Sequence, residues 1–280
     1  MNPRAVSVAR WFRREAPTSL TAGLAIILIW VLAAGFAPVI SSYDPNAINP
    51  TRSLLPPGWQ HLLGTDSVGR DLFARVLHGA RIDLAMAVAG AFGPFILGTA
   101  IGLMAGYYGR WLDAVLMRIL EVTISFPYFV LVIAIVAILG PGLTSYIVTL
   151  TIVNWVTYAR LVRSETLVLA NADFVLAARV LGFSGRRIML RHVLPNAIVS
   201  SSVFIMTDAV LTIVLGSSLG FLGLGVQPPA AEWGVMIAEG RTYLGTAWWI
   251  SMFPGIALCS LALGFSLIAD GLAHILNPEA

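Results

Sequence analysis

Residues 171–196 have a composition suited to docking on another protein. Four apolar residues recur there at i, i+3, i+4 and i+7, so they share one face of a predicted short helix. They are Phe174, Ala177, Ala178 and Leu181. Gly182 follows, and glycine tolerates the positive φ with which many helices end. Cations surround this helix, at Arg179, Arg186, Arg187, Arg191 and His192. A small basic helix between long apolar segments predicts a surface that binds a cytoplasmic partner.

Two roles are open for the arginines of this segment. They retain the loop on the cytoplasmic side and attract anionic lipid, at about 1 kcal/mol each, or they pair with acidic residues of a partner. We expect both contributions. We expect the apolar face around Phe174 and Leu181 to provide most of the docking energy, because buried anchors usually outweigh rim charges.

Asp208 is a carboxylate inside an otherwise apolar segment. An ionised carboxylate at membrane depth is costly and rarely faces lipid. Two interpretations are open at this stage. Asp208 lines a transport pathway and meets a cationic group of the cargo, or it is a buried, hydrogen-bonded packing residue.

Several other chemistries are excluded or disfavoured by residue content. All seventeen basic residues are arginine, so the chain has neither a P-loop lysine nor a Schiff-base lysine. If ATP drives this protein, another chain binds it. No metal site is predicted, because His61, His78 and His192 lack a metal-ligand spacing. Cys259 is the single cysteine and forms no intrachain disulfide.

The composition predicts an all-α integral membrane protein. Hydrophobic residues make up 58% of the chain and charged residues 11%, far from the balance of soluble domains. A span needs about 20 apolar residues. Six are predicted: 20–40, 84–107, two within 122–159 separated by Gly140-Pro141-Gly142, 197–224 and 246–269. We expect the first to be retained, since its charge-free run exceeds the core of a signal peptide.

The arginine distribution predicts that both termini are cytoplasmic. With the N-terminus inside, twelve of the seventeen arginines face the cytoplasm. The predicted organisation is a cytoplasmic tail (1–19), a first helix (20–40), an external segment (41–83), a core of five helices (84–270) and a second tail (271–280). The core contains the cytoplasmic loop 160–196.

Local patterns give four smaller expectations. Residues from Asp71 onward predict an amphipathic lead-in to the second span, and Asp66 is a candidate helix N-cap. Glu121 is expected to pair with Arg118. Asp270 is expected to end the sixth span. Glycines at 216, 220, 223 and 225 allow close helix approach, although ordinary membrane packing explains them equally well.

The loop motif is similar to a known sequence signature. Ala177-Ala178, Gly182, His192 and Leu194-Pro195 have the spacing of the EAA loop of ABC-transporter permeases. The chain departs from that motif at Leu176, where glutamate is usual, and at His192, where isoleucine is usual. Two further blocks, 63–84 and 220–234, resemble the dipeptide, oligopeptide and nickel permeases. The resemblance extends from about residue 38 to 278.

This resemblance implies a type I ABC-importer permease in the bacterial inner membrane. Its implied partners are a second permease, two ATPase subunits and an external substrate-binding protein. No cofactor is implied on this chain, because ATP and Mg²⁺ belong to the ATPases. The implied cargo is a di- or oligopeptide, with a nickel chelate as the alternative. The implied ATPase-coupling residues are Phe174, Ala177, Ala178, Leu181, Gly182, Arg186, Arg187, Leu194 and Pro195.

Two other classes of function are less favoured. A membrane-embedded enzyme would need a clustered nucleophile and base, which Asp208 alone does not provide. An ion-driven secondary transporter usually shows inverted repeats with paired broken helices. A single helix-bearing cytoplasmic loop without a counterpart argues against that architecture.

Overall fold

The computed structural model describes residues 17–276, and their regular structure is helical apart from an isolated bridge between Thr65 and Asp71. The arginines at 4, 10, 13 and 14, most of the N-terminal tail and the last residues of the C-terminal tail lie outside this range. The helices are α1 Thr18–Ile40, α2 Leu72–Tyr108, α3 Arg110–Ile124, α4 Tyr128–Leu139, α5 Leu143–Leu169, α6 Asp173–Val180, α7 Gly185–Ile188, α8 Leu194–Ala197, α9 Val199–Phe221, α10 Trp233–Gly240 and α11 Trp249–Leu276.

The predicted lead-in and second span form one helix. α2 has 37 residues, about 55 Å at 1.5 Å per residue. The cap prediction was wrong. Asp71 is the N-cap, and its side chain accepts a 2.7 Å bond from the Ala74 amide. Asp66 instead accepts from the amides of Val68 and Arg70 and so closes the preceding turn.

The region predicted to hold the third span, from residue 122, contains a sharp bend that was not predicted. α3 and α4 meet at 91° across a short break. Pro127 is the N-cap of α4, and proline disfavours helical backbone at the residue before it. The polar content of residues 110–121 had excluded α3 from the predicted span, but it forms the first arm of the bend.

Four helices are long and apolar enough to cross a membrane, namely α1, α2, α9 and α11, and the bent α3–α4 pair makes a fifth if it crosses as one. α5, with 27 residues, spans about 40 Å but is more polar. The chain is therefore a multi-pass membrane protein, and the six-span count stays a prediction. α11 continues to Leu276, so the helix extends past Asp270, and the end of the sixth span at Asp270 stays a prediction.

A glycine seam joins α2 to α5. Gly98, Gly102 and Gly106 repeat at every fourth residue and face α5. A Cβ on Gly98 would overlap the Trp155 carbonyl oxygen, and one on Gly102 would overlap that of Ala159. The two backbones are in direct contact, as in other small-xxx-small pairs of membrane helices.

The block at 220–234 comprises the end of α9, the connecting segment and the first two residues of α10. Glu232 is the N-cap of α10 and accepts from the amides of Gly234 and Val235 at 2.7 and 2.8 Å. Trp233 is fully buried and donates from Nε1 to the Val76 carbonyl at 3.0 Å. Gly234 lies against the backbone of Ser217 in α9, where a Cβ would not fit. These three residues fix α10 between α2 and α9.

A buried ion network fixes the segment before α2. The Arg70 guanidinium bonds Asp66 at 2.5 Å and Glu239 of α10 at 2.9 Å. Arg75 is fully buried and lies 3.5 Å from Glu239. Since Asp66 and Glu239 compensate these buried arginines, removing either acid would leave a costly unpaired charge. The network holds the segment before α2 against α10.

Candidate functional site

The predicted docking helix exists and ends as expected. α6 is followed by Gly182 at φ +78°. The Phe183 amide bonds the Ala178 carbonyl at 3.2 Å, and the Gly182 amide bonds that of Arg179 at 3.0 Å. This pair of bonds is a Schellman motif, which requires the positive φ that glycine supplies. The prediction for Gly182 is confirmed.

The α6 helix has two apolar faces. Val175 and Ala178 are 0% and 4% exposed and pack with Leu103 of α2 and Val162 of α5. Leu181 is 72% exposed. Ala178 therefore faces the protein's own interior, and its assignment to the docking face was wrong. A residue packed inside its own chain has little surface left for a partner.

The outward face is larger than expected. It comprises Phe174, Leu176, Ala177, Val180 and Leu181, all exposed. Val180 is the most exposed of them at 88% and was not predicted. We call these five residues the α6 surface. An exposed apolar surface on a short loop helix is typical of a protein-binding site.

The rest of the loop supports the α6 surface. After α7, a π-helical turn at Met189–Val193 leads into α8. Ile188, Met189 and Val193 are buried in the same cluster as Val175. Leu194 packs at the edge of this cluster, whereas Pro195 is exposed in the first turn of α8. Leu194 is therefore a packing residue and not part of the surface.

Two arginines of the loop lie over aromatic rings. The Arg187 guanidinium lies 4.2 Å from the Phe183 ring centroid, and Phe183 in turn stacks on His192 at 5.9 Å. Arg179 lies 5.9 Å from the Tyr107 ring and donates to the Ala170 carbonyl at 3.3 Å. Arg186 and Arg187 are exposed next to the α6 surface. Aromatic stacking limits the freedom of Arg179 and Arg187, so their positive charges have defined positions.

Asp208 lies far from this loop, inside the helical bundle. It is 4% exposed, and its Oδ2 accepts a 2.9 Å bond from the Tyr158 hydroxyl. The Asn154 amide donates to Oδ1 at 3.4 Å, and the Tyr128 hydroxyl donates to Asn154 at 3.0 Å. Sequence reasoning missed these three partners. Asn154, a polar residue within a predicted span, was the signal that could have identified them.

A cavity of about 260 Å³ opens beside this carboxylate. It is lined by Tyr128, Phe129, Asn154, Thr157, Phe204, Asp208, Leu211, Val214, Leu215 and Ser218. We call it the Asp208 cavity. Among residues 17–276, no three His, Cys, Asp or Glu side chains are placed to hold a metal ion. Two candidate binding features stand out in the described part of the chain: the α6 surface and the largely apolar cavity that contains Asp208.

A multi-pass helical chain with an outward apolar helix in one loop has the form of a transporter membrane subunit. Residues 98–280 match the model of the binding-protein-dependent transport system inner membrane component. Residues 20–57 match the N-terminal transmembrane domain of oligopeptide transport permease C. The chain belongs to the binding-protein-dependent transport family and is a permease subunit of an ABC importer.

Its relatives cover nearly the whole chain. It is 41% identical over 257 residues to a dipeptide transport system permease of Alkalihalophilus pseudofirmus, covering 92% of this chain and 84% of the relative. It is 43% identical over 278 residues to a putative peptide transport system permease of Brucella suis, covering 99% and 93%. A probable D,D-dipeptide transport system permease of Escherichia coli is 38% identical over 275 residues, covering 96% and 90%.

The fold has also been solved in another transporter. An inward-facing structure of the MetNI methionine ABC transporter superposes with a TM-score of 0.57 at 20% identity, covering 72% of this chain and 96% of that one. This similarity confirms the type I importer permease fold.

Proposed function

We propose that this chain carries di- or oligopeptides through an ATP-driven importer, together with a second permease subunit. The relatives described above are named for dipeptides or peptides, which favours peptide cargo over a nickel chelate. The observation that carries the coupling role is the α6 surface. It is apolar and exposed, and its helix packs on a buried cluster that includes residues of α2 and α5.

In the proposed mechanism, the α6 surface inserts into a cleft on an ATPase subunit. Phe174, Ala177 and Leu181 make the apolar contact, and Arg186 and Arg187 meet acidic residues at its rim. Ala178 and Leu194 have a supporting role in this mechanism, because they anchor the loop to the membrane helices. Closure of the ATPases on ATP would move the loop and, through it, the helices that line the pathway.

The proposed division of labour leaves nucleotide chemistry to other chains. This chain lacks lysine, so it has no phosphate-binding loop of the P-loop type. ATP and Mg²⁺ would be bound by two ATPase subunits, and an external binding protein would deliver the cargo. In this proposal the chain is a translocation subunit of the bacterial inner membrane and not an enzyme.

The proposed function is tested by reconstitution of the complete complex in proteoliposomes. We expect uptake of a labelled dipeptide that requires ATP, the binding protein and this chain. We expect the purified chain alone to hydrolyse no ATP. The control is the same complex with ATPases unable to hydrolyse ATP. Peptide uptake without this chain, or hydrolysis by it alone, would contradict the proposal.

The proposed topology is tested by cysteine labelling. Cys259 is exposed, so the background carries Cys259→Ser. Pro50 and Ser184 are both exposed in the protein, so a cysteine at either position can react. In whole cells, a membrane-impermeant maleimide should label Pro50→Cys, and it should label Ser184→Cys only after the membrane is opened. Labelling of both from the same side would discard the predicted orientation.

A further inference from the structure

We infer that the Asp208 cavity is a subsite for a primary ammonium group, the N-terminus of the transported peptide. This inference rests on the proposed function, because it specifies which group of a peptide the pathway recognises. The cavity lies between α4, α5 and α9. Asp208 is the one charged residue among the described residues that line it.

The hydrogen bonds around Asn154 determine which groups face the Asp208 cavity. The Asn154 amide nitrogen donates to Asp208, so its carbonyl oxygen points the other way and accepts from the Tyr128 hydroxyl. Tyr158 also uses its single hydroxyl hydrogen on Asp208. The Tyr128 and Tyr158 hydroxyls and one Asn154 N–H are therefore directed at members of this network, and one Asn154 N–H remains as a donor.

Ser218 extends the same argument. Its hydroxyl donates to the Val214 carbonyl at 2.7 Å, which leaves only oxygen lone pairs for the cavity. Asp208 and Asn154 likewise retain acceptor lone pairs. The Thr157 hydroxyl rotates to suit its neighbour. The polar part of the cavity thus offers mostly acceptors, with Asp208 as the one charge among its described lining residues, and this favours a ligand that donates hydrogen bonds.

The bond lengths favour a ligand over a packing role for Asp208. Its Oδ2 has a bond of ordinary length to Tyr158, at 2.9 Å, whereas the Asn154 amide lies 3.4 Å from Oδ1. N–H···O bonds are usually 2.7–3.2 Å. Oδ1 is therefore weakly satisfied and retains room for a closer donor. An opposite charge close to such a carboxylate favours its ionised form.

The remaining walls select the kind of cation. Apolar side chains make up half of the lining, at Phe129, Phe204, Leu211, Val214 and Leu215. A primary ammonium is a compact charge with three donors and no acceptor. A peptide N-terminus presents this group next to a side chain, so an apolar first residue would lie against the walls. A free carboxylate would be repelled by Asp208.

The test measures occupancy of the Asp208 cavity without transport. Leu211 lines the cavity and is partly exposed. In the complete complex with Cys259→Ser, Leu211→Cys is labelled with a small maleimide in the presence of leucyl-alanine or N-acetyl-leucyl-alanine. We expect the free peptide to slow labelling at least fivefold and the acetylated peptide to have no effect. When Asp208→Asn is added, the concentration of free peptide that halves the labelling rate should rise at least about tenfold.

The outcomes separate this inference from the proposed function. Equal protection by both peptides overturns ammonium recognition, and protection by neither overturns the subsite. If Asp208→Asn prevents assembly, the comparison of the two peptides in the Asp208 complex still decides. Tyr128→Phe, which removes one hydroxyl at the edge of the network, should weaken protection less than Asp208→Asn. A complex that imports no peptide refutes the cargo, while protection by the free amine still establishes the subsite.

Discussion

The substitution Leu181→Glu is expected to abolish capture of the ATPase subunits and all ATP-driven uptake. Leu181 is 72% exposed on the α6 surface, so the chain itself tolerates the change. Docking would bury the new carboxylate against an apolar cleft, and an uncompensated buried charge costs about 3–5 kcal/mol. That penalty corresponds to a complex weaker by roughly 150-fold to about 4,000-fold. Pull-down of the ATPases in detergent measures it directly.

The matched control is Leu62→Glu, a leucine of similar exposure in the segment before α2. It should retain the ATPases at the wild-type level. Ala178→Glu should behave differently from both, because Ala178 is buried against Leu103 and Val162. That change should lower the thermal stability and the amount of folded chain. Leu181→Glu with full ATPase binding would show that the α6 surface is not the coupling site.

The second large effect is expected at the glycine seam. Gly102→Leu should prevent assembly of the complex or reduce its yield more than threefold. Even the first carbon of the new side chain would overlap the Ala159 carbonyl, so α2 and α5 would have to separate. Overpacking usually costs about 1–3 kcal/mol, and here the obstacle is backbone that cannot rotate away. Fluorescence-detected size exclusion of the complex measures the folded yield.

Ala100→Leu provides the control for Gly102→Leu. Ala100 lies two residues earlier on the same helix and is exposed, so its side chain points away from the seam. The added volume is similar, and the folded yield should stay near wild type. Equal losses of folded yield for both variants would mean that α2 tolerates no larger residue on either side. The effect of Gly102→Leu would then not be specific to the glycine seam.

The helices themselves were largely predictable, because hydropathy and span length depend on local sequence. Most ends of α1, α9 and α11 were predicted to within a few residues. The helix end at Gly182 followed from the conformational freedom of glycine. The bend between α3 and α4 was missed because Pro127 was read within a charge-free run. Its restriction on the preceding backbone was the available signal.

Whether a helical side chain points inward or outward was harder to predict, since this depends on which neighbours surround the helix. Ala178 shares an arc with Phe174 and Leu181, and the periodicity alone placed all three on one surface. Only the positions of Leu103 and Val162 show that Ala178 faces inward. The glycine seam was likewise missed, although Gly98, Gly102 and Gly106 have the spacing of a helix-contact motif.

The sequence offered one signal for the polar partners of Asp208, the polar residue Asn154 within a predicted span, but not the pairing itself. Tyr128, Asn154 and Tyr158 come from two helices and are separated from Asp208 by 50 to 80 positions in the chain. Their meeting depends on how α4 and α5 pack against α9. The sequence left two interpretations of Asp208 open, and the geometry now gives each a distinct experimental outcome.

The length of α2 has a thermodynamic consequence. One end of this helix carries the Asp71 cap and Arg75, and the other supplies Leu103 to the cluster beneath α6. Direct backbone contact at the glycine seam restricts movement of α2 relative to α5. A shift at one end of α2 is therefore transmitted along about 55 Å of helix. Linked equilibria are reciprocal. If an ATPase bound at the loop alters the affinity of a partner at the far end, that partner must alter the ATPase's affinity by the same factor.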